Sequence, residues 1–351
     1  MRKSRLQQQQ NQRTECLVAQ TRFSENFIGF SILVAVIVWT IWLILTGPSR
    51  AFSNLIANWE AALTMVFGSI VAGGTSMGGG AVAFPVFTKV LHVPPQEAKI
   101  FSLAIQSVGM SAATFAIVAM GTRVEWRFVR WASLGGVLGI TVGDVLLAPV
   151  LPPTFVKMFF TMVVSSFGVV LLALNRTKRR RNLNIFFWGK WERLFSLIAG
   201  LFGGIMGGLV GSGMDILCFS VMILLFNLSE KCSTPTSVIL MAINAVAGFI
   251  LHKFFIGDFV EPVLNYWLAA VPVVVVGAPA GAVICSLLNQ KTVVRILHYL
   301  ILIELFSSIL LVPLNVTLIC FSVLIFALFC SIYYWVYLIG KRRSRLAERL
   351  A

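Results

Sequence analysis

The apolar positions of this chain fall into long runs that short polar stretches separate. A helix that spans a membrane needs about 20 predominantly apolar residues. Runs of that length predict an all-α polytopic membrane protein with spanning helices over residues 27–45, 100–120, 128–148, 154–174, 236–255, 263–288, 293–311 and 316–339.

Two further apolar segments, 59–91 and 194–226, are longer, and each contains a glycine-rich run. The runs are GGTSMGGGAVAFP (73–85) and GGLVGSGMDILCF (207–219). A straight helix over either segment would measure roughly 50 Å, whereas the hydrocarbon core of a bilayer is about 30 Å thick. We therefore expect each helix to break at its glycines into two pieces of roughly 15 residues that reach the midplane. Each broken segment then either crosses once or forms a re-entrant hairpin.

The basic residues distinguish these two topologies. If both segments are re-entrant and the N-terminus is cytoplasmic, 23 of the 28 lysine and arginine residues lie on the cytoplasmic side, including the run RTKRRR at 176–181. If both segments cross, only 16 of the 28 do. Cytoplasmic loops carry the excess of positive charge, so we predict re-entrant segments and two cytoplasmic termini in the inner (cell) membrane.

The composition agrees with a membrane protein. The chain has 351 residues, of which 58% are hydrophobic and only 12% are charged. A soluble domain carries about 25% charged residues. The formal net charge of +15 comes from short basic runs between apolar segments, which indicates contact with lipid head groups and not with nucleic acid.

The chain also reads as a duplication, because each half consists of a glycine-broken segment followed by three spanning helices. Three spans is an odd number, so the second half must be inverted relative to the first. Inverted repeats whose interrupted helices meet near the midplane are typical of transporters. The predicted division is an arm (1–26), an extra helix (27–45), repeat 1 (58–174), a basic linker (175–192), repeat 2 (193–312), a second extra helix (316–339) and a basic tail (340–351).

A helix that begins after a glycine turn presents unpaired N–H groups and a positive dipole end, which favour a bound anion. Gln106 and Asn244 either line that site or only bridge helices. Glycine pairs at four-residue spacing, such as Gly139/Gly143 and Gly277/Gly281, are instead expected to pack helices closely. The candidate binding residues are Thr75, Ser76, Gly78, Gly79, Gly80, Ser102, Gln106, Gly211, Ser212, Gly213, Ser237 and Asn244.

Ionisable residues at membrane depth indicate function. Asp215 follows the second glycine run directly, where it would carry a coupling proton, bind a cation or cap the helix start. Glu304 lies deep in its predicted helix and is a second candidate proton carrier, whereas Asp144 and Lys157 are expected to pair near one face. The six cysteines are scattered without a C-x-x-C pair, and neither a metal site nor a cofactor motif is predicted.

At these motifs the sequence resembles the sulfite exporter TauE/SafE family of anion permeases, within the toluene-sulfonate uptake permease group. The resemblance covers about residues 58–312 and rests on GGTSMGGGAVAFP with HVPPQEAKIFS, and on GGLVGSGMD with SEKCSTPTS. It implies transport of sulfite, sulfonates and related organic anions. Two features depart from it: the second motif lacks a proline matching Pro85, and Asp215 puts a carboxylate beside the expected anion.

Two other functions compete with a carrier. A passive anion channel would share the same site. An intramembrane serine hydrolase would use Ser76, since Gly74 to Gly78 match G-x-S-x-G, but that motif requires a strand before it and a nearby histidine. The sequence therefore predicts a permease and no enzyme, with a small anion and the lipid bilayer as partners, no nucleic acid and no indicated oligomeric state.

Overall fold

The computed structural model describes residues 25–175, 182, 184, 185 and 188–350. Within this part of the chain the regular structure is helical, apart from one isolated bridge between Asn182 and Leu228. The arm before residue 25 and the run Arg176–Arg181 lie outside the described residues, so their predicted cytoplasmic positions stay predictions.

Thirteen helices follow one another in the described residues, and α4, α6 and α10 each continue into a π-helical turn (Val86–Val90, Val142–Leu147 and Leu251–Ile256). The helices are α1 (Glu25–Thr46), α2 (Pro48–Ala57), α3 (Trp59–Gly74), α4 (Gly80–Pro85), α5 (Pro95–Ala119), α6 (Trp126–Thr141), α7 (Pro153–Asn175), α8 (Lys190–Val210), α9 (Met214–Leu224), α10 (Glu230–Ile250), α11 (Val263–Leu287), α12 (Gln290–Leu311) and α13 (Val316–Leu350).

Eight of these helices are long and apolar enough to cross a membrane: α5, α6, α7, α8, α10, α11, α12 and α13. The prediction of an all-α, multi-pass membrane protein is confirmed. Helix α1 occupies the predicted span 27–45 but forms a bent pair with α2, at an angle of 98°. Helix α2 was not predicted. It exposes Phe52 and Ile56 and buries Ala51, the pattern of a short amphipathic helix at a membrane surface.

Both glycine-rich segments are broken where the sequence predicts. Residues 75–79, between α3 and α4, form the first glycine break, and residues 211–213, between α8 and α9, form the second glycine break. The expected equal division of the second segment is wrong, because α8 has 21 residues and α9 has 11. Helix α8 extends further towards its N-terminus, where the Glu192 carboxylate accepts from the Gly189 N–H at 2.8 Å.

After each break the chain turns back along the helix that it has just left. A Cβ on Gly68 of α3 would lie 3.7 Å from the Val82 Cβ of α4. In the second segment, a Cβ on Gly203 of α8 would lie 3.0 Å from the Met214 Cα at the start of α9. Each pair, α3/α4 and α8/α9, is therefore a helical hairpin.

The hairpins pack against helices from the other half of the sequence. Helix α8 lies along α6, α3 lies along α11, and α5 contacts both α10 and α11. Glycines allow the close approach: a Cβ on Gly204 would overlap the Gly136 carbonyl oxygen, and one on Gly73 would overlap the Ala278 carbonyl oxygen. The pairs Gly139/Gly143 and Gly277/Gly281 belong to these contacts, so their predicted packing role is confirmed.

We expect Gly204→Ala to lower the thermal stability of the purified protein, because the added methyl group has no space between α8 and α6. Overpacking of this kind costs about 1–3 kcal/mol. The matched control is Gly29→Ala in α1, where no described atom lies within 4 Å of the new Cβ. Equal melting temperatures for both variants in detergent would contradict the close packing of the two helices.

Candidate functional site

The two glycine breaks meet inside the protein. A Cβ on Gly80 would lie 2.6 Å from the Ser212 Cβ, and a Cβ on Gly78 would overlap the Asp215 carboxylate. Gly78 has a φ of +68° and Gly211 a φ of +80°, both in the left-handed region that favours glycine. The backbone of one break thus approaches the other at a distance that side chains would prevent.

Helix α5 joins the two breaks through Ser102 and Gln106. The Ser102 hydroxyl donates to the Gly211 carbonyl oxygen at 3.0 Å, and the Gln106 amide nitrogen donates to the same oxygen at 2.8 Å. The Gln106 nitrogen also lies 3.0 Å from the Ser102 carbonyl oxygen. The carbonyl group that the second break would leave unpaired is therefore bonded by side chains of the first half.

Three polar atoms at this junction are buried and have no hydrogen-bond partner among the described residues: Gln106 Oε1, Ser212 Oγ and Asp215 Oδ2. The orientation of the Gln106 amide follows from its surroundings, since two carbonyl oxygens require the NH₂ group on their side. Gln106 Oε1 consequently faces the other way, 3.1 Å from the position of a Gly78 Cβ, where Asp215 Oδ2 also lies. Two acceptor atoms converge there without a donor.

Asp215 lies in the first turn of α9 and is completely buried, with an exposed fraction of 0%. Its Oδ1 atom accepts from the Ile216 N–H at 3.0 Å. The carboxylate therefore occupies one of the N–H groups that the start of a helix leaves unpaired. Any other anion at this helix end would compete with it.

The remaining predicted residues of the breaks are also buried. Thr75 directly follows α3, and its hydroxyl donates to the Val71 carbonyl oxygen at 2.8 Å. Ser76 lies in the first break with 2% of its surface exposed. Gly79 packs against Ala72 of α3. Gly213 has a φ of +116°, and a Cβ added to it would lie 3.0 Å from the Met206 Cβ.

Two predicted residues on α10 make their described contacts elsewhere. The Ser237 hydroxyl donates to the Thr234 carbonyl oxygen within its own helix at 2.8 Å. Asn244 lies between Gly207 of α8 and Gly136 of α6, and neither polar atom of its side chain has a described partner. Asn244 thus lies beside α8 of the second hairpin, and its side chain makes no hydrogen bond to another described helix.

Glu304 belongs to a separate cluster on α12. Its Oε1 atom accepts from the hydroxyls of Thr161 and Ser308, each at 3.1 Å. The expected pair of Asp144 and Lys157 is wrong, because Lys157 donates to the Thr88 hydroxyl at 3.3 Å. Asp144 has other partners that are closer in the fold.

Those partners form a buried charged network that sequence reasoning missed. Lys99 of α5 forms an ion pair with Asp144, and His252 Nε2 lies 2.7 Å from the second oxygen of Asp144. His252 Nδ1 lies 2.7 Å from Asp258. The Lys99 carbonyl oxygen lies next to Gly211, so this network adjoins the second break. No short motif signals it, because its members come from three segments that are far apart in the sequence.

A cavity of about 170 Å³ lies between the first hairpin and α12. Met77 of the first glycine break lines it, together with Lys89 and Glu304. The remaining lining residues are mostly apolar: Val71, Val82, Pro85, Val86, Val90, Leu300, Ile303, Ser307 and Leu311.

Comparison with known proteins agrees with this architecture. The sequence model of the family described as "Sulfite exporter TauE/SafE" matches residues 61–311, from the first hairpin through α12. No curated protein and no solved structure was found to match the chain. The match covers well over half of the chain, including both glycine breaks and the helices that join them, and the chain belongs to the sulfite exporter TauE/SafE family of membrane transporters.

Proposed function

We propose that the protein is a permease of the cell membrane for small sulfur-containing oxyanions or organosulfonates such as sulfite, and that it binds the anion where the two glycine breaks meet. The observation that carries this proposal is the set of unpartnered buried atoms at the junction: Gln106 Oε1, Ser212 Oγ and Asp215 Oδ2. Buried polar atoms are normally hydrogen-bonded, so a junction that leaves three without a partner favours a bound solute there.

The backbone supports an anion as that solute. Helix α9 begins at the second break, and α4 with its π-helical turn begins at the first, so each contributes N–H groups and a positive dipole end. The Ser212 hydroxyl adds a donor between them. In the dry interior such donors attract an anion far more strongly than they would in water.

We further propose that Asp215 carries a coupling proton. Gln106 Oε1 and Asp215 Oδ2 converge without a donor, and a proton on Asp215 would let the acid donate to the amide oxygen. An ionised Asp215 keeps the Ile216 N–H, whereas a protonated one releases it for the substrate. Anion and proton then bind together, because protonation removes both the competition and the repulsion.

The topology that we propose has two inverted halves, re-entrant hairpins and both termini in the cytoplasm. The reciprocal packing of the two halves supports this topology. The first hairpin lies on α11 of the second half, and the second hairpin lies on α6 of the first half. Inverted repeats generate such reciprocal contacts, and their relative motion alternates access to a midplane site.

The direction of transport in this scheme follows from the gradients. A membrane potential with a negative interior is worth about 2.3 kcal/mol per charge per 100 mV, so it drives an uncoupled anion outwards. Each proton that moves with the anion reduces that bias by one charge. Export of a divalent anion with one proton thus remains electrically favourable, and a pH gradient with an acidic exterior works against it.

The two alternatives receive less support. For the hydrolase, His252 is engaged by Asp144 and Asp258, and the His298 Nδ1 atom lies 2.7 Å from the Val294 carbonyl oxygen. No described histidine forms a hydrogen bond with Ser76 or Ser212. For the passive channel, the side chains of Gln106, Ser212 and Asp215 at the junction are buried.

The topology is tested by labelling single cysteines in a cysteine-free background. We expect Glu261→Cys, on the loop between α10 and α11, to react with an impermeant thiol reagent in intact cells. Lys190→Cys, at the exposed start of α8, should react only after the membrane is opened. The reverse pattern would contradict the proposed orientation.

The close approach at Gly78 is tested by Gly78→Ala. We expect it to abolish sulfite transport in proteoliposomes, because the new methyl group would overlap the Asp215 carboxylate. Gly121→Ala is the matched control: Gly121 has a similar φ of +62°, so both variants carry about 1–2 kcal/mol of backbone strain, but nothing described lies within 4 Å of its Cβ. Equal sulfite transport by the two folded variants would show that Gly78 is not part of the binding site.

The coupling role is tested by Asp215→Asn, which mimics the protonated acid. We expect this variant to retain sulfite exchange between the two sides of a vesicle and to lose sulfite accumulation driven by a pH gradient. If Asp215 only caps α9, the substitution should leave both exchange and accumulation unchanged, since asparagine caps about as well as aspartate. Retained pH-driven accumulation would exclude Asp215 as the proton carrier.

A further inference from the structure

The cavity beside the first hairpin is lined by a combination of apolar and charged residues that the proposed anion site at the junction does not require. Its walls are mostly aliphatic side chains of α3, α4 and α12, and its polar lining residues are Lys89, Glu304 and Ser307. A concave apolar pocket with a few fixed polar groups is typical of a site for a small organic ligand.

Lys89 is buried to 9% exposure in the π-helical turn that follows α4. Its amine donates to the hydroxyls of Ser307 and Ser308 at 2.8 and 3.2 Å, and no described carboxylate lies within ion-pair distance. The Lys157 amine, bonded to the hydroxyl of Thr88, is near the same cluster, since both amines act electrostatically on Glu304. The Ser308 hydroxyl also donates to Glu304, so the amine and this carboxylate are linked through one hydroxyl and not by a direct ion pair. A buried amine outside ion-pair distance of a carboxylate is costly, and at membrane depth such a group indicates function.

Glu304 is the carboxyl group on the cavity wall. Two hydroxyl donors, Thr161 and Ser308, already bond its Oε1 atom. Two amines therefore face one carboxyl group across this cluster, which leaves an excess of positive charge at the polar end of an apolar cavity. A ligand that matches has an anionic head and a short apolar body.

Met77 connects the cavity to the junction of the breaks. Its side chain lines the cavity with 3% of its surface exposed, and the next residue, Gly78, contacts Gln106 and Asp215. A solute in the cavity thus lies beside the residue that precedes the junction glycine, and methionine side chains readily change conformation.

We propose that this cavity is a second site, an antechamber that receives small alkyl sulfonates before they pass Met77 to the junction. The sulfonate head binds the Lys89 amine and the Ser307 hydroxyl, and the alkyl body lies against Ile303 and Leu300. This inference rests on the proposed transport function and deepens it, because it selects organosulfonates over bare sulfite as the preferred substrates.

The test measures how methane-, propane- and pentanesulfonate inhibit sulfite exchange in proteoliposomes. In the native protein we expect inhibition to strengthen about two- to fourfold for each added CH₂ group that the cavity buries. Lys89→Met should weaken inhibition by all three sulfonates about tenfold or more, the loss expected for a charge-assisted hydrogen bond. Lys253→Met is the control, since that lysine lies over the Phe259 ring and does not line the cavity.

The apolar wall is tested separately by Ile303→Ser, which should remove the dependence on chain length while methanesulfonate still inhibits. Ile303 is 63% exposed, so the substitution spares the core. Its neighbour Leu302, 46% exposed and not among the lining residues, supplies the control Leu302→Ser. Glu304→Gln should strengthen inhibition by every sulfonate, because it removes the carboxylate that opposes the anion.

The outcomes separate this inference from the transport proposal. Inhibition that does not depend on chain length, or that Lys89→Met leaves unchanged while the native protein exchanges sulfite, would overturn the antechamber and leave the junction site standing. An acyl chain of a lipid held in the cavity would also give that result. Absence of exchange of any tested anion by the native protein would instead overturn the transport proposal itself.

Discussion

The structure depends on how it satisfies non-helical backbone inside an apolar protein. A lipid-facing break in a helix leaves N–H and C=O groups unpaired, at a cost of several kcal/mol for each group. Here the carbonyl group of Gly211 accepts from Ser102 and Gln106, which belong to the other half of the chain. The breaks are therefore tolerable only where the two halves meet, and this requirement fixes how the hairpins lie relative to α5.

Close backbone packing makes that meeting possible. Gly73 lies against Ala278, and Gly204 lies against Gly136, at positions where even a methyl group would overlap a carbonyl oxygen. In an apolar environment small residues let helices approach closely and gain dispersion energy and weak hydrogen bonds. The same glycines that hold the bundle together thus place the two helix starts beside one another. Gln106 Oε1, Ser212 Oγ and Asp215 Oδ2 are left there without a partner among the described residues.

The helices could be predicted from the sequence because hydrophobic length and glycine content are local properties. The breaks, the packing glycines and the proximity of Asp215 to the first motif follow from the pattern and its repetition. The Lys99–Asp144–His252 network could not be predicted, since its members come from different helices and only the three-dimensional packing brings them together. Helix α2 was missed because ten residues give too weak an apolar signal. Ser237 was predicted to line the site from its position on the helix face, whereas its hydroxyl bonds within its own helix, a contact that the pattern does not show.

The most direct test of the account is the position of a bound anion. Selenite is the selenium analogue of sulfite, and its anomalous scattering would locate it in crystals of the protein. The account predicts a peak between the two glycine breaks, within hydrogen-bond distance of the Ser212 hydroxyl and the N–H groups at the start of α9. Selenite bound in the protein at other positions, with the junction filled only by side chains and water, would contradict the claim that the two breaks together form the anion site.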